Sequence, residues 1–236
     1  MFGRGMRIGQ IGGINISIDY SWLVIFALFI FLLGGSYFPL TAPGVPAGWY
    51  WLTAVATTIL FFASVVAHEL AHSLVARRRG LPIHTITLFF FGGVSQLEDE
   101  PHSPWDEFKV AIVGPLTSVV LAGVFFGIMW LLRPLNARLL STAVSYLWFI
   151  NLALAAFNLL PGFPLDGGRV FRSIVWKATG NLTRATYIAS IVGQCFGWLF
   201  ILGGVVGAFL IRGFFINGLW FAFIGWFLLN AARGSY

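Results

Sequence analysis

The sequence HELAH at 68–72 places two histidines four residues apart, with a glutamate directly after the first. On a helix, residues at i and i+4 lie about 5–6 Å apart on one face, so His68 and His72 can bind one tetrahedral zinc ion. Glu69 is rotated away from that shared direction, so it is better placed to act on a water molecule than to serve as a ligand. This spacing predicts a helical zinc site with a carboxylate base.

These three residues end an apolar stretch that is long enough to enter a bilayer. An ionisable side chain inside a membrane costs about 2.5–3.5 kcal/mol on insertion scales, and such residues usually mark a functional site. Three of them so close together are therefore more typical of a metal site than of packing. The alternative is that they lie near the membrane surface beside Arg77–Arg79, with their polar ends in water.

A catalytic zinc site typically has three protein ligands and one open position, so a third ligand must come from elsewhere in the chain. Asp166 is the strongest candidate, because it follows an apolar segment in the sequence FNLLPGFPLDGGRVFRS at 157–173. Two prolines stop the helix there and Gly167-Gly168 permit unusual dihedral angles, so we expect the carboxylate on an irregular segment. The alternative for these residues is an ordinary turn.

Other polar side chains could replace Asp166 or assist the chemistry. His84, His102 and the acidic cluster at 98–100 are substitute ligands, although they are more typical of interfacial histidines and a solvated loop. Asn151 and Asn158 are seven residues apart on one face of an apolar segment. Their amides could hydrogen-bond a substrate backbone or a developing oxyanion, and hydrogen bonding between helices is the alternative.

The composition identifies the class of protein that carries these residues. The chain has 236 residues, of which 58% are hydrophobic and 9% charged, whereas soluble domains have about 25% charged residues. It is therefore predicted to be an integral membrane protein. Its net charge of +6 could suggest binding to nucleic acid. The arginines lie between apolar runs rather than on one basic face, however, so a nucleic-acid partner is not expected.

Six segments are long and apolar enough to cross a bilayer as helices, which takes about 20 residues. We place them at 20–38, 49–79, 105–132, 138–160, 184–211 and 213–233. Residues 6–18 and 81–98 alternate apolar and polar side chains around the glycine pairs Gly12-Gly13 and Gly92-Gly93, which predicts two β-hairpins. Because open strand edges are not tolerated against lipid, these hairpins must lie at the interface or line a water-filled cavity. The predicted fold is an all-α polytopic membrane protein with six transmembrane helices and short membrane-associated β-hairpins, formed as one domain by residues 1–236.

The fifth segment carries two pairs of glycines at four-residue spacing, Gly193/Gly197 and Gly203/Gly207. Such pairs let a neighbouring helix approach closely, so we expect them to pack against another helix. The fifth and sixth segments almost touch in sequence, which requires a tight reversal at Gly213.

The lysines and arginines predict the orientation of the chain. If the N-terminus and every second loop share one side, eleven of the fourteen lie on that side and Arg133, Arg138 and Arg212 lie on the other. Cytoplasmic loops carry the excess of positive charge, so both termini are predicted in the cytoplasm. His68 and His72, and the loop that carries Asp166, fall on the same side.

Two sequence motifs, and the order in which they follow each other along the chain, resemble the site-2 protease family of intramembrane zinc metalloproteases. HELAH at 68–72 is followed by a glycine-containing strand segment and then by N-x-x-P-x-x-P-x-D-G-G at 158–168. FGGVS at 91–95 and EFKVAIVGPLTS at 107–118 are similar to the prokaryotic branch of that family. The resemblance extends from about residue 6 to residue 211, and no CBS or PDZ domain, as some relatives carry, is expected within the chain.

The resemblance implies one Zn²⁺ ion per chain, bound by His68, His72 and Asp166. It also implies that Glu69 is the catalytic base and that Asn151 helps to position the substrate. The implied function is the hydrolysis of peptide bonds in or near transmembrane segments of membrane proteins, by a multi-pass protease domain in a prokaryotic cell membrane.

A membrane metal-ion transporter or metal sensor could use the same ligands, and it is the alternative to a protease. A transporter needs polar residues across the full depth of the membrane, whereas the first, fifth and sixth segments are almost wholly apolar. A transporter also has no need of a base such as Glu69 beside its ligands.

Overall fold

The computed structural model of the chain describes residues 5–89, 92–97, 101–135 and 137–235. The helices are α1 Tyr20–Leu32, α2 Phe38–Thr41, α3 Ala47–Arg78, α4 Pro104–Leu132, α5 Arg138–Asn158, α6 Asp166–Thr179, α7 Leu182–Leu210 and α8 Phe215–Arg233. The strands are β1 Gly5–Ile11, β2 Ile14–Asp19, β3 Ile83–Phe89 and β4 Gly92–Leu97. Within these described ranges, six helical spans are long and apolar enough to cross a membrane. The predicted fold class is confirmed.

The ends of the helices differ from the predicted segments by a few residues, for local reasons. The first span continues to Thr41 through a π-helical turn at Leu33–Tyr37, rather than ending at residue 38. α5 ends at Asn158 rather than at 160, because Pro161 disfavours a helical conformation in the residue before it. α7 begins at Leu182, since the side chain of Asn181 accepts a hydrogen bond from the N–H of Arg184 and caps the helix.

α1 has a similar cap at its start, where the Asp19 side chain accepts a hydrogen bond of 2.9 Å from the N–H of Ser21. Hydrogen bonds from the side chain and backbone of Ser21 hold the pKa of Asp19 below its ordinary value. Between α7 and α8, Gly213 has a φ of 80° and makes the predicted reversal.

The four strands form one sheet in the order β1-β2-β3-β4. The two outer pairs are antiparallel and are the two predicted hairpins. β2 and β3 pair in parallel, with Ile16 opposite Ile86, and this junction of the two hairpins was not predicted. Arg77, near the end of α3, donates a hydrogen bond to the carbonyl of Gly12 and so ties the first hairpin to this helix.

The two glycine pairs play different roles in the sheet. Gly12 and Gly13 have φ angles of 58° and 81° and form the predicted turn between β1 and β2. Gly92 pairs with Phe89 and Gly93 with Leu88, so both belong to β4 and the predicted turn at Gly92-Gly93 is wrong. Glycine in a strand is also typical of close approach by another group, and Gly93 lies directly against the side chain of Glu69.

The described residues fall into two compact units, one within Met1–Glu100 and Val113–Ala155 and the other within Pro101–Ile112 and Ala156–Tyr236. In the first unit an aromatic cluster joins α1 to α3. Trp22 packs edge-on against Phe62 at 4.9 Å between ring centroids, and Phe29 stacks on Phe61 at 5.1 Å. Leu88 of β3 is buried in the same cluster, so α3 is held against both α1 and the sheet.

In the second unit, glycines bring α7 and α8 into backbone contact. A Cβ on Gly197 would lie 3.0 Å from the carbonyl oxygen of Gly225, and one on Gly204 would lie 2.6 Å from the N of Ala222. A Cβ on Gly203 would meet no atom within 4 Å. Gly204, rather than the predicted Gly203, therefore makes the second close contact, and Gly207 lies against the ring of Phe214.

α6 was not predicted, because Gly167-Gly168 were expected to form an irregular turn. Both glycines instead lie in the first turn of this helix, which begins at Asp166. A Cβ on Gly168 would lie 2.5 Å from the N of Phe163, so the preceding loop leaves no room for a side chain there. Close approach of backbone, rather than an unusual dihedral angle, explains why glycine stands at this position.

Candidate metal centre

His68 and His72 bring their ring nitrogens to one point on α3. Their Nε2 atoms lie 3.2 Å apart, and the ring planes are inclined at 74°. A tetrahedral zinc ion with Zn–N bonds of about 2.0–2.1 Å needs two ligand nitrogens roughly 3.3 Å apart. Both side chains are buried, at 3% and 4% exposure. The pair fits zinc in distance and in the chemistry of its donor atoms.

Ser118 of α4 fixes the orientation of the first imidazole. Its buried hydroxyl lies 2.9 Å from Nδ1 of His68. A hydroxyl at this position can accept a hydrogen bond from Nδ1–H, which leaves the lone pair of Nε2 for a metal ion. Ser118 can therefore hold His68 in the tautomer that a metal site requires.

Gly114, one helical turn before Ser118, lies directly against both imidazoles. A Cβ at this position would lie 2.7 Å from Nε2 of His68, and it would lie even closer to Nε2 of His72. The absence of a side chain thus leaves open the space that a metal ion bound to both nitrogens would occupy. The sequence contains a signal for this residue, because an isolated glycine inside an apolar helix usually has a packing reason.

Glu69 is half-buried and faces the sheet. A Cβ on Gly93 would lie 3.0 Å from the carboxyl carbon of Glu69, so β4 passes beside this carboxylate without an intervening side chain. β4 is also an edge strand of the sheet that the described residues form. The predicted base therefore lies beside a strand at the end of the described sheet.

Asn151 of α5 is fully buried in the same unit. Its Nδ2 donates to the carbonyl of Leu147 at 2.8 Å and to the hydroxyl of Ser64 on α3 at 3.4 Å. Its Oδ1 is buried and has no hydrogen-bond partner among the described residues. Asn151 thus connects two helices, as one reading of the sequence suggested, and its Oδ1 has no partner among the described residues.

The remaining candidates are Asp166, Asn158, His84, His102 and the acidic cluster at 98–100. Asp166 is half-buried in the second unit, in the first turn of α6. Asn158, also in the second unit, is the half-buried last residue of α5, so the two asparagines belong to different units. His84 and His102 are exposed. The acidic cluster at 98–100 lies outside the described residues.

Comparisons with known proteins agree on one family. The model of peptidase family M50 matches residues 56–137 and 133–200. The chain is 45% identical over 235 residues to sll0528 of Synechocystis sp., covering 98% of the chain and 60% of that protein. It is 39% identical over 229 residues to Rip3 of Mycobacterium tuberculosis, covering 96% of the chain and 57% of that protein. Both relatives carry provisional names as zinc metalloproteases, and the chain spans less than two thirds of their length.

Among solved structures, the chain is similar to the site-2 protease from Methanocaldococcus jannaschii. The TM-score is 0.63 at 28% sequence identity, and the match covers 98% of this chain and 94% of that one. The likeness therefore extends over both compact units and all six candidate membrane spans.

Proposed function

Because the chain belongs to peptidase family M50, we propose that it is an intramembrane zinc endopeptidase that hydrolyses peptide bonds in or near transmembrane segments of membrane proteins. The observation that carries this proposal is the pair of buried Nε2 atoms 3.2 Å apart on a membrane-spanning helix, with Glu69 beside them. The substrates are membrane proteins that meet the chain within the bilayer.

The proposed ligands of the zinc ion are His68, His72 and Asp166. Support comes from the sequence, in which HELAH at 68–72 supplies two of these residues and N-x-x-P-x-x-P-x-D-G-G at 158–168 supplies the third. Three protein ligands leave a fourth position open for water, as a catalytic zinc site requires.

Several residues of the chain have separate roles in the proposed peptide hydrolysis. A bound zinc ion lowers the pKa of water to about 7 and polarises the carbonyl of the scissile peptide. The Glu69 carboxylate accepts a proton from the attacking water and later delivers it to the departing amine nitrogen. Ser118 holds the His68 ring through Nδ1, and Oδ1 of Asn151 can accept a hydrogen bond from a substrate N–H. Asn158 is proposed as a second substrate contact.

The chain is a multi-pass membrane protein, and the proposal extends to its topology. We place both termini in the cytoplasm, on the strength of eleven of the fourteen lysines and arginines falling on that side. We also propose that residues 1–236 work as one protease domain and that the protein is prokaryotic.

Removal of the metal tests the proposed function. We expect the purified chain in lipid vesicles to hold about one zinc ion and to cleave a single-span membrane peptide. Treatment with 1,10-phenanthroline should abolish cleavage, and added zinc, but not magnesium, should restore it, because imidazole ligands suit zinc and not magnesium. Zinc content and cleavage products are measured on the same sample.

The His72→Ala variant is the control, since added zinc should not restore its cleavage. Cleavage that persists without metal would contradict a metalloprotease. Passage of zinc across the vesicle membrane, with no cleavage of any peptide, would instead favour a transporter.

We further propose that the substrate binds in extended form along β4. A transmembrane helix hides its carbonyls within its own hydrogen bonds, so it must unwind before hydrolysis, and the freed backbone groups then need partners in an apolar setting. β4 offers such partners, because it is an edge strand and passes beside Glu69 through Gly93.

Proline scanning tests this binding mode. Successive N–H groups of a strand point to opposite edges, so Val94→Pro and Ser95→Pro remove donors from different edges of β4. One variant breaks the pairing with β3 and loses thermal stability. The other keeps the wild-type melting temperature and zinc content, and we expect it to cleave at least about tenfold more slowly. Unchanged cleavage by this second variant would contradict substrate pairing with β4.

A further inference from the structure

A buried ion pair lies in the second unit and joins α4 to α6. Glu107, in the first turn of α4, is fully buried. Its Oε1 accepts a hydrogen bond of 2.6 Å from Nε of Arg172 on α6, and a second one from Nη2 of the same guanidinium. Nε of Arg169, one turn earlier on α6, lies 4.0 Å from the same oxygen.

Arg172 connects this carboxylate to two further elements. Its Nη1 donates to the hydroxyl of Thr186 on α7 at 3.4 Å. The carbon at the centre of its guanidinium lies 5.1 Å from the centroid of the Phe163 ring, which is a cation–π contact. A planar guanidinium can make all of these contacts at once, and a lysine cannot.

Phe163 belongs to the loop that leads into α6. Its N–H donates to the carbonyl of Ala189 on α7 at 3.4 Å. A Cβ on Gly193 of α7 would lie 2.8 Å from the N of Phe163, so the loop backbone and α7 are in direct contact. Phe163 is thus held between α7 and the Arg172 guanidinium, and Asp166 follows it by three residues.

The ion pair is poorly arranged for stability alone. Oε2 of Glu107 is buried and has no hydrogen-bond partner among the described residues. Burial of two charges is costly, and a pair that leaves one acceptor unsatisfied is often less stable than apolar residues of similar size. What the pair does provide is a fixed position for α6, because Arg172 contacts α4, α7 and the loop together.

We propose that Glu107 is a positioning residue for Asp166. It holds the Arg172 guanidinium between Thr186 and Phe163, and these contacts set the position of the first turn of α6, where Asp166 lies. Asp166 can then act as a metal ligand without local rearrangement. This inference rests on the proposed function, in which Asp166 is the third ligand.

The test uses the full chain loaded with Co²⁺, whose visible absorption reports the number and geometry of its ligands. Asp166→Ala serves as the reference for loss of the third ligand. We expect Glu107→Gln to shift the cobalt spectrum toward that of Asp166→Ala and to weaken Co²⁺ affinity about 10–100-fold, measured by competition with a chromophoric chelator. Arg172→Lys, which keeps the charge but loses the planar contacts, should do the same. Far-UV circular dichroism should stay at the wild-type level in both variants.

Lys177→Met is the matched control on the same helix. Lys177 is exposed and its Nζ lies 5.8 Å from the Trp105 ring, so its loss should leave spectrum and affinity unchanged. A wild-type spectrum and affinity in folded Glu107→Gln and Arg172→Lys, together with weakened binding in Asp166→Ala, would overturn the positioning role and leave the proposed function intact. Unchanged binding in Asp166→Ala would overturn the proposed ligand set, and the positioning role with it.

Discussion

Replacement of Glu69 with glutamine is expected to slow cleavage of a single-span membrane peptide by about 10²–10⁴-fold, with zinc unchanged at about one per chain. Glutamine has the same shape as glutamate, so it fits beside Gly93 as the native side chain does. It cannot accept a proton from water, however, and general base catalysis is lost. The two imidazoles keep their positions, because their contacts to each other and to Ser118 do not involve residue 69.

Asp106→Asn is the matched control for this change. It also converts a carboxylate to an amide, at a residue that accepts a hydrogen bond from Ser103 at the start of α4. We expect cleavage by this variant to stay within about twofold of wild type, because Asp106 has no part in the proposed chemistry and an amide oxygen can still accept the hydrogen bond from Ser103. Full cleavage by Glu69→Gln would contradict the role of Glu69 as base. Loss of its zinc would instead assign Glu69 a place among the ligands.

Gly114→Ala should remove both zinc binding and cleavage. The added methyl group would lie 2.7 Å from Nε2 of His68 and closer still to Nε2 of His72, in the space between the ligand atoms and α4. Alanine is a better helix former than glycine by about 1 kcal/mol, so weakening of α4 cannot account for the loss. Zinc per chain, cleavage and helical content are measured together.

The same helix supplies matched controls for this substitution. A Cβ on Gly123 or Gly127 would meet no atom within 4 Å. Gly123→Ala and Gly127→Ala should therefore keep zinc and cleavage at wild-type levels. If Gly114→Ala bound zinc as tightly as these variants do, the space beside the imidazoles would not be the metal position.

The membrane spans and the histidine pair could be predicted because their signals are local. A run of apolar residues reports burial in lipid whatever its neighbours are. The spacing of His68 and His72 places both rings on one side of any α-helix. Both inferences depend on residues within one segment, and the helical spans in the structure agree with them to within a few residues.

The remaining features depend on contacts between distant parts of the chain. Gly114 is one glycine among 28 in the sequence, and its place inside an apolar helix indicates a packing role without showing that it packs against the imidazoles of α3. The pair Gly92-Gly93 is typical of a turn in the sequence, and only the structure shows that Gly93 leaves space for the side chain of Glu69.

α6, by contrast, did leave a local signal in the sequence. Gly180, with a φ of 67°, ends this helix and Lys177 lies in its last turn, as is typical of a helix C-terminus.

The parallel pairing of β2 with β3 determines an order of events during synthesis of the chain. Ile16 of β2 is synthesised long before its partner Ile86 of β3. The first hairpin therefore leaves the ribosome before α1, α3 and β3 have been made. Until then, the edge of β2 that will meet β3 is unpaired and open to strands of other molecules. A nascent chain that ends within α3 therefore has an unpaired edge on β2, which closes only after residue 88 has been made.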